Sequence, residues 1–319
     1  MRLLITGGTG FIGSRVKHIS IKRGHRLRIL SRETPVDNLN ADWVVGDITS
    51  PDDCVKAVSD VDAIIHAAAE KHRKEKYHSV NVKGTENLIH AAKKRGIKRF
   101  IHMSSVGVIG AAPFQRRVFD ESALCNPNEG YERSKWESEQ ITVKASNVDM
   151  SVAVLRPANV FGEQDPAKGL LTLARKIRHG QFFFVGGRNS ICNFVHVDDV
   201  ACAAITLVEL SSHAEGVYHI CDSCTIGDFV DSMADAMEVK RPTRTLPVAT
   251  SILLRYVLMS MRNAPVISDS AVFSRLVALN NQADFSSLRL RNETGFEFKV
   301  GWREGVKRLI SWYQEQGDL

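Results

Sequence analysis

Aromatic residues are scarce in this chain, and long apolar runs are missing. Phe, Tyr and Trp make up 7% of its 319 residues. No stretch of about eighteen uninterrupted apolar residues occurs, so no integral membrane segment is expected. The nearest approach, Leu246 to Met261, is broken by Arg255 and reads as a buried or partly exposed helix. Cysteine is sparse too: Cys54, Cys125, Cys192, Cys202, Cys221 and Cys224. Cys221 and Cys224 have the C-x-x-C spacing. No second such pair or nearby histidine pair completes a zinc site, so no metal is expected. The first residues already read as a core strand, so no secretory leader is expected; a cytoplasmic location with reduced thiols follows from that. Repeats and low-complexity tracts are absent. The charge surplus is small, with 42 Lys and Arg against 36 Asp and Glu, a net +6. The densest basic runs, Lys71 to Lys76 and Lys93 to Arg99, interleave with apolar positions at helical spacing. They read as solvated faces, and no nucleic-acid partner is expected.

What the chain does have begins at once. Met1 to Ile5 is a short apolar strand that runs into Thr6-Gly7-Gly8-Thr9-Gly10-Phe11-Ile12-Gly13. A glycine-rich turn between a buried strand and a helix binds phosphate. Gly7 permits the tight turn, Gly10 lets the backbone approach a pyrophosphate, and Gly13 lets the helix pack closely on the strand. Thr9, Phe11 and Ile12 complete the loop and the start of the helix.

Strand-length apolar runs at Leu3–Thr6, Leu27–Leu30, Trp43–Val45, Ala63–His66, Arg99–Met103 and Val152–Leu155 alternate with helical periodicity at Ile12–Lys22, Pro51–Val58, Tyr77–Lys94 and Tyr131–Lys144. Continuously apolar strands separated by helices predict an α/β fold, a doubly wound parallel sheet covered on both faces. Its ligand belongs at the carboxyl ends of the strands. Beyond Leu155 helices dominate, at Gly169–His179, Val200–Glu209, Ile226–Met237, Thr250–Met261 and Gly301–Gln316. Short strands are expected at Phe182–Val185 and Ile191–Val195. The expected division is a dinucleotide-binding domain over 1–155 and a smaller, mostly helical substrate lobe over 156–319, with the chain crossing back more than once.

Tyr131-Glu-Arg-Ser-Lys135 places a phenol and an ammonium four residues apart, on one helix face. An unperturbed phenol, with its pKa near 10, is a poor acid–base group at neutral pH. A neighbouring ammonium favours the phenolate and lowers that value. A tyrosine tuned in this way can exchange a proton with an alcohol or carbonyl oxygen. Ser104 and Ser105 follow the strand that begins at Arg99, so a hydroxyl there faces the ligand cleft.

Glycine turn, strand-end serine and Tyr-x-x-x-Lys, in that order, resemble the extended short-chain dehydrogenase/reductase superfamily. That branch holds nucleotide-sugar epimerases, dehydratases and reductases, and the 3β-hydroxysteroid dehydrogenase and dihydroflavonol reductase type enzymes. The resemblance covers nearly the whole chain and implies a Rossmann fold, a nicotinamide cofactor and a small-molecule substrate. It implies that Ser105, with Ser104 the less favoured choice, joins Tyr131 and Lys135 as the catalytic set, Lys135 also bonding the cofactor ribose. Gly46-Asp47-Ile48 resembles the adenine-binding turn. His66-Ala67-Ala68-Ala69 resembles a cofactor-lining strand end, Asn81-Val-Lys-Gly84-Thr85 a family helix with Asn81 at the cofactor, and Arg156-Pro157-Ala-Asn159-Val160 a loop near the nicotinamide. His66, His102 and His196 read as scaffold histidines, and Asp198 and Asp199 as helix caps. Relatives dimerise through two helices, here Tyr77–Lys94 and Tyr131–Lys144, so a homodimer is implied, with a monomer the open alternative.

The second strand ends in Leu30-Ser31-Arg32-Glu33. Arg32 could clamp a ribose 2′-phosphate, which favours NADP(H); Glu33 is the rival that would suit NAD(H). Nucleotide-sugar members carry an arginine just before the segment matching Phe194-Val-His-Val-Asp-Asp199, where it binds the diphosphate. Cys192 stands near that position, and Arg188 is displaced. The leading reading is a ketoreductase or dehydrogenase moving hydride between nicotinamide and a carbonyl or secondary alcohol, with a nucleotide-sugar 4-keto reductase among its forms. An epimerase that recycles bound NAD and a 3β-hydroxysteroid-type dehydrogenase are the near alternatives. A non-catalytic dinucleotide sensor is the alternative from another class.

Overall fold

The computed structural model describes residues 1–33, 41–110, 117–210, 214–247 and 282–319; the helix expected at Thr250–Met261 lies outside them. The first half of the chain holds β1 (Arg2–Thr6), α1 (Phe11–Lys22), β2 (Arg26–Ser31), β3 (Asp42–Val45), α2 (Pro51–Ala57) and β4 (Ala63–His66). A π-helical turn over Tyr77–Lys83 leads into α3 (Gly84–Lys94), β5 (Arg99–Met103), a 3-10 turn at Val106–Ile109, β6 (Arg117–Phe119), α4 (Gly130–Lys144) and β7 (Ser151–Pro157). The second half holds β8 (Asn159–Phe161), α5 (Gly169–Arg178), β9 (Phe184–Val185), β10 (Ile191–Cys192), β11 (Phe194–His196), α6 (Val197–Glu209), β12 (Gly216–Ile220) and β13 (Cys224–Thr225). It ends with α7 (Ile226–Ala236), β14 (Thr245–Leu246), β15 (Ala283–Phe285), α8 (Leu288–Thr294) and α9 (Gly301–Glu315).

Seven strands pair in parallel in the order β12-β7-β5-β4-β1-β2-β3. The strand order reverses between β1 and β4, which opens a crevice above their carboxyl ends. Alternation along each strand feeds two cores. Leu3, Ile5, Ile101 and Leu155 pack with Val16 of α1 and Val200 and Ala204 of α6. Leu4, Ile64, Phe100 and Val152 pack with Leu88 and Ala92 of α3 and Cys54 of α2. Burial on both faces is why the strands read as unbroken apolar runs; each such side chain contributes roughly 1.5–3 kcal/mol. A third core unites α5, α7 and α9 through Leu171, Phe229, Met233, Trp302 and Ile310. The sheet also takes its last strand, β12, and a covering helix, α6, from the second half of the chain.

Two expected elements are split. The helix expected over Tyr77–Lys94 opens with the π turn, which the Thr85 hydroxyl of α3 ties to the helix by donating to the Asn81 carbonyl at 2.6 Å. The strand expected over Ile191–Val195 breaks at Asn193. Its two halves have different partners: β10 pairs antiparallel with β13 and β11 pairs parallel with β8. Asn193 itself accepts from the Asn159 N–H at 3.0 Å and donates its side-chain amide to the Ala283 carbonyl at 2.9 Å.

Asp198 and Asp199 need a correction. His196 is the N-cap of α6, its Nδ1 accepting from the Asp198 N–H at 3.3 Å, so both aspartates lie inside the first turn. Asp199 instead caps α9, where its carboxylate accepts from the N–H groups of Lys299, Val300 and Gly301 at 2.7, 3.1 and 2.8 Å.

Candidate active site

The turn after β1 is shaped by close backbone contact. Gly7 has φ +71°, and a Cβ there would lie 2.6 Å from the Ala68 nitrogen. A Cβ on Gly13 would lie 2.0 Å from the Gly7 carbonyl oxygen. Either contact is far inside van der Waals range, so only glycine closes this turn. Thr9 and Gly10 are exposed, and Phe11 and Ile12 half-buried. The N-terminus of α1 has no side-chain cap and no acidic residue in its first turn. Its orphan N–H groups and positive dipole end therefore remain available to an anion.

Ala67 and Ala68, half-buried at the tip of β4, form the opposite wall. They are held by a directional chain. The Ala68 N–H donates to Thr6 Oγ1 at 3.2 Å, and Thr6 Oγ1 lies 2.7 Å from His66 Nδ1. His66 Nε2 lies 2.9 Å from Thr85 Oγ1, whose proton goes to the Asn81 carbonyl. Only a neutral imidazole protonated at Nε2 satisfies every member. Burial, with the Lys135 charge adding to it, pushes His66 down to about 3 and so keeps it neutral. His66 is thus part of the scaffold.

Asn81, expected on the cofactor, braces the segment beside it. It is 1% exposed. Its Oδ1 accepts from the Glu70 N–H at 2.7 Å, and its Nδ2 donates to the Glu70 carbonyl at 3.0 Å and to Ser134 Oγ at 2.9 Å. No side-chain donor is left for a ligand.

α4 lies over the tips of β5 and β7. Its inner face carries Tyr131, Lys135, Ser138 and Glu139. Ser104 and Ser105 are separated by what they bond. Ser104 Oγ donates to Glu139 Oε2 at 2.7 Å and is buried. Ser105 is half-buried; its Oγ accepts from the Gly107 N–H at 3.1 Å, which leaves its proton to donate. Glu139 is further locked by Arg156 at the end of β7, Nε to Oε2 at 3.0 Å and Nη2 to Oε1 at 2.5 Å. Arg156 Nη2 also reaches Cys125 Sγ at 3.2 Å.

Lys135 is 2% exposed; its carbonyl accepts from Ser138 Oγ at 2.9 Å, and its ammonium is committed to no side chain or carbonyl among the described residues. Burial lowers its pKa from 10.5 to about 8, with Glu139, one turn on, resisting the fall. Burial also lowers His102, on β5, well below the ordinary histidine value, and the Lys135 charge assists. Tyr131 departs from expectation. Its phenol is pushed up to about 12, by burial first and then by Tyr77 and Glu132. The ammonium does not lower it in the cofactor-free protein; desolvation of the phenolate, Tyr77 and Glu132 set its value.

The other sequence-selected residues differ in exposure. Arg32 is exposed past the end of β2, and Asp47 is half-buried, its Oδ1 accepting from the Thr49 N–H at 2.9 Å. Ile48 is buried against Gly84. Pro157 is buried at the end of β7, Asn159 is exposed and Val160 half-exposed. Arg188 is engaged elsewhere. Its guanidinium donates to Asp231 Oδ2 at 2.6 Å and to the Pro242 carbonyl at 2.9 Å, and lies 4.6 Å from the Phe184 ring centre.

Comparison with known proteins agrees with this geometry. A profile of the NAD dependent epimerase/dehydratase family matches residues 3–221. The chain belongs to that family. Within the extended short-chain dehydrogenases it is similar to a 4-hydroxy-2-methyl-3-oxo-4-farnesyl-3,4-dihydroquinoline-1-oxide ketoreductase of Stigmatella aurantiaca, 25% identical over 97% of this chain and 96% of the relative. It is also similar to a 3 beta-hydroxysteroid dehydrogenase/Delta 5-->4-isomerase of Mycobacterium tuberculosis, 27% identical over 98% of this chain and 90% of that one. Among solved structures, gox2253 superposes with TM-score 0.78 at 26% identity over 99% of both chains.

As a family member the protein is an enzyme that uses a nicotinamide dinucleotide, and the residues present fit one. The glycine cradle has no room for a side chain at Gly7 or Gly13, the α1 N-terminus is uncapped, and the buried Lys135 ammonium lacks a partner. Sequence reasoning did not single out Glu139 or Tyr77. Glu139 had a signal, since it follows Lys135 by four residues and shares its helix face.

Proposed function

We propose that the protein is an NADP(H)-dependent ketoreductase that acts on a small carbonyl compound without a nucleotide diphosphate. On this reading residues 1–155 chiefly bind the cofactor and 156–319 the substrate. When bound, the nicotinamide supplies hydride at C4. Tyr131 donates a proton to the carbonyl oxygen as the hydride reaches the carbon, so ketone, hydride and proton yield the alcohol. Ser105 donates a hydrogen bond to the same oxygen and polarises it. Lys135 bonds ribose hydroxyls and supplies positive charge beside the phenol.

The observation that carries the reading is the protonation pattern on α4. A phenol near 12 keeps its proton at neutral pH, and Lys135, four residues on along the same helix, stays charged below about 8. The phenol is thus in the protonated state that carbonyl reduction requires of its acid, and a bound cofactor and substrate have to lower its pKa for the transfer. The engagement of Arg188 by Asp231 and the Pro242 carbonyl argues against a diphosphate clamp. Arg32, exposed beyond β2, favours a 2′-phosphate. A homodimer through α3 and α4 belongs to the same reading.

The test follows loss of the reduced-nicotinamide absorbance with a reactive 1,2-diketone such as 9,10-phenanthrenequinone. Tyr131→Phe should lower turnover by roughly two to four orders of magnitude while cofactor binding stays within about threefold. Retained turnover removes Tyr131 from the mechanism. Conversion of a UDP-hexose without net absorbance change would replace the reductase with an epimerase. Arg32→Asp should move cofactor preference from NADPH toward NADH by about tenfold or more, the loss of one charge-assisted contact. An unchanged ratio of kcat/KM values for the two cofactors would dismiss Arg32 as the determinant.

A further inference from the structure

Tyr77 belongs to no part of the catalytic set, yet its ring meets that of Tyr131 edge to face, centroids 5.9 Å apart at 69°. It opens the π turn, a local distortion often found beside functional sites. A Cβ at Gly130, the first residue of α4, would lie 3.5 and 3.7 Å from two Tyr77 ring carbons. The ring therefore lies against the start of the catalytic helix. Its hydroxyl donates to the Lys71 carbonyl at 2.8 Å, which tethers the segment before the π turn. Four residues on, Asn81 grips α4 from the backbone side: its Nδ2 reaches Ser134 Oγ, which donates to the Tyr131 carbonyl at 2.7 Å.

We propose that Tyr77 is a positioning residue for Tyr131: its ring edge fixes the phenol and shields it from water. The inference rests on the acid role given to Tyr131 above. An edge-to-face pair restricts both rings, and small misplacements of a reacting group cost large factors in rate. The Tyr77 hydroxyl points away to Lys71, so the ring, not the hydroxyl, does the positioning. Tyr77→Phe should therefore behave like the wild type.

The experiment compares Tyr77→Ala, Tyr77→Leu and Tyr77→Phe. Turnover is read with saturating NADPH and 9,10-phenanthrenequinone. The ultraviolet signal of tyrosine ionisation is read without cofactor, each variant against its Tyr131→Phe double mutant. Tyr77→Ala and Tyr77→Leu should lower kcat by about tenfold or more with the probe's KM within about threefold. They should bring Tyr131 ionisation down from about 12 toward the ordinary phenol value. Tyr77→Phe should restore both. Unchanged kcat and ionisation in Tyr77→Leu overturns the proposal, as does equal impairment of Tyr77→Phe and Tyr77→Leu. Should Tyr131→Phe itself keep full turnover, the reductase reading falls. The ionisation measurement still decides whether Tyr77 shields Tyr131.

Discussion

The sheet side and the C-terminal side both bury charge, and they use it differently. Beside the ends of β5 and β7, Lys135, Glu139 and Arg156 form a cluster with two cations to one anion. Glu139 is fully engaged by Arg156 and Ser104, whereas among the described residues no side chain or carbonyl takes a hydrogen bond from the Lys135 ammonium. On the C-terminal side, Asp199 is spread over three backbone N–H groups and Asp222 accepts from the Trp302 N–H at 2.6 Å. Both serve the start of α9. A buried charge with every valence taken is part of the scaffold. A buried charge with free donors costs stability until something binds it, and that is a mark of a site. By this criterion Lys135 stands apart from Asp199, although both are acquired by burial in an ordinary-looking helix.

The largest expected effect is on the engaged part of the sheet-side cluster. Glu139→Leu leaves Arg156 and Ser104 without their acceptor in a site where both are buried. Breaking a buried pair by removing one partner typically costs about 3–5 kcal/mol. Denaturant unfolding should show a loss of that size, and Arg156→Met in the same chain should recover part of it. A loss below about 1 kcal/mol would put this pair among exposed ones and erase the contrast with the C-terminal side.

The next effect sharpens the comparison through pH. Lys135 has a folded-state value of about 8 against 10.5 when free. Below about 8 both states are protonated, and the fold carries the cost of the buried ammonium, about 3 kcal/mol at 1.4 kcal/mol per unit. Between about 8 and 10.5 the unfolded chain binds more protons, so the cofactor-free protein gains stability as pH rises. Lys135→Met should therefore unfold at higher denaturant than the wild type at pH 7. The advantage should shrink through that window. A Lys135→Met variant less stable than wild type at pH 7 would mean that the ammonium has a partner in the free protein.

Much of the sheet side was legible in the sequence, because burial on both faces writes apolar runs that no other environment requires. Gly7 and Gly13 were legible for a related reason: backbone contact excludes every other residue. The helical periodicity of Tyr77–Lys94 was also real, but the π turn within it was not readable from local spacing, and neither were the bonds Asn81 makes there to Glu70 and Ser134. The bracing bonds of Asn81 were not legible, because a motif names a residue without saying how many of its donors are already used. The sign of the Tyr131 shift was missed likewise. Four-residue spacing promises proximity to an ammonium, and only packing reveals that desolvation, Tyr77 and Glu132 govern the phenol instead. On the C-terminal side, the break at Asn193 depends on two different pairing partners, which local pattern cannot contain.

Asp199 supplies the smallest effect and the clearest negative. Sequence position suggested a cap for α6, yet its oxygens meet the N–H groups that open α9, about a hundred residues later in the chain. Val300, which precedes that helix, offers no side-chain cap of its own. A carboxylate arriving from another helix therefore satisfies the orphan donors and complements the dipole. Asp199→Asn keeps one good acceptor and loses the charge, so the expected cost is about 1–2 kcal/mol, the range of a lost cap. Turnover should stay within about twofold of wild type at temperatures where the variant is folded, because no bond of Asp199 leads to α4. A folded Asp199→Asn protein with strongly reduced turnover would show that this carboxylate acts on the site, and full engagement of a buried charge would no longer separate scaffold from chemistry.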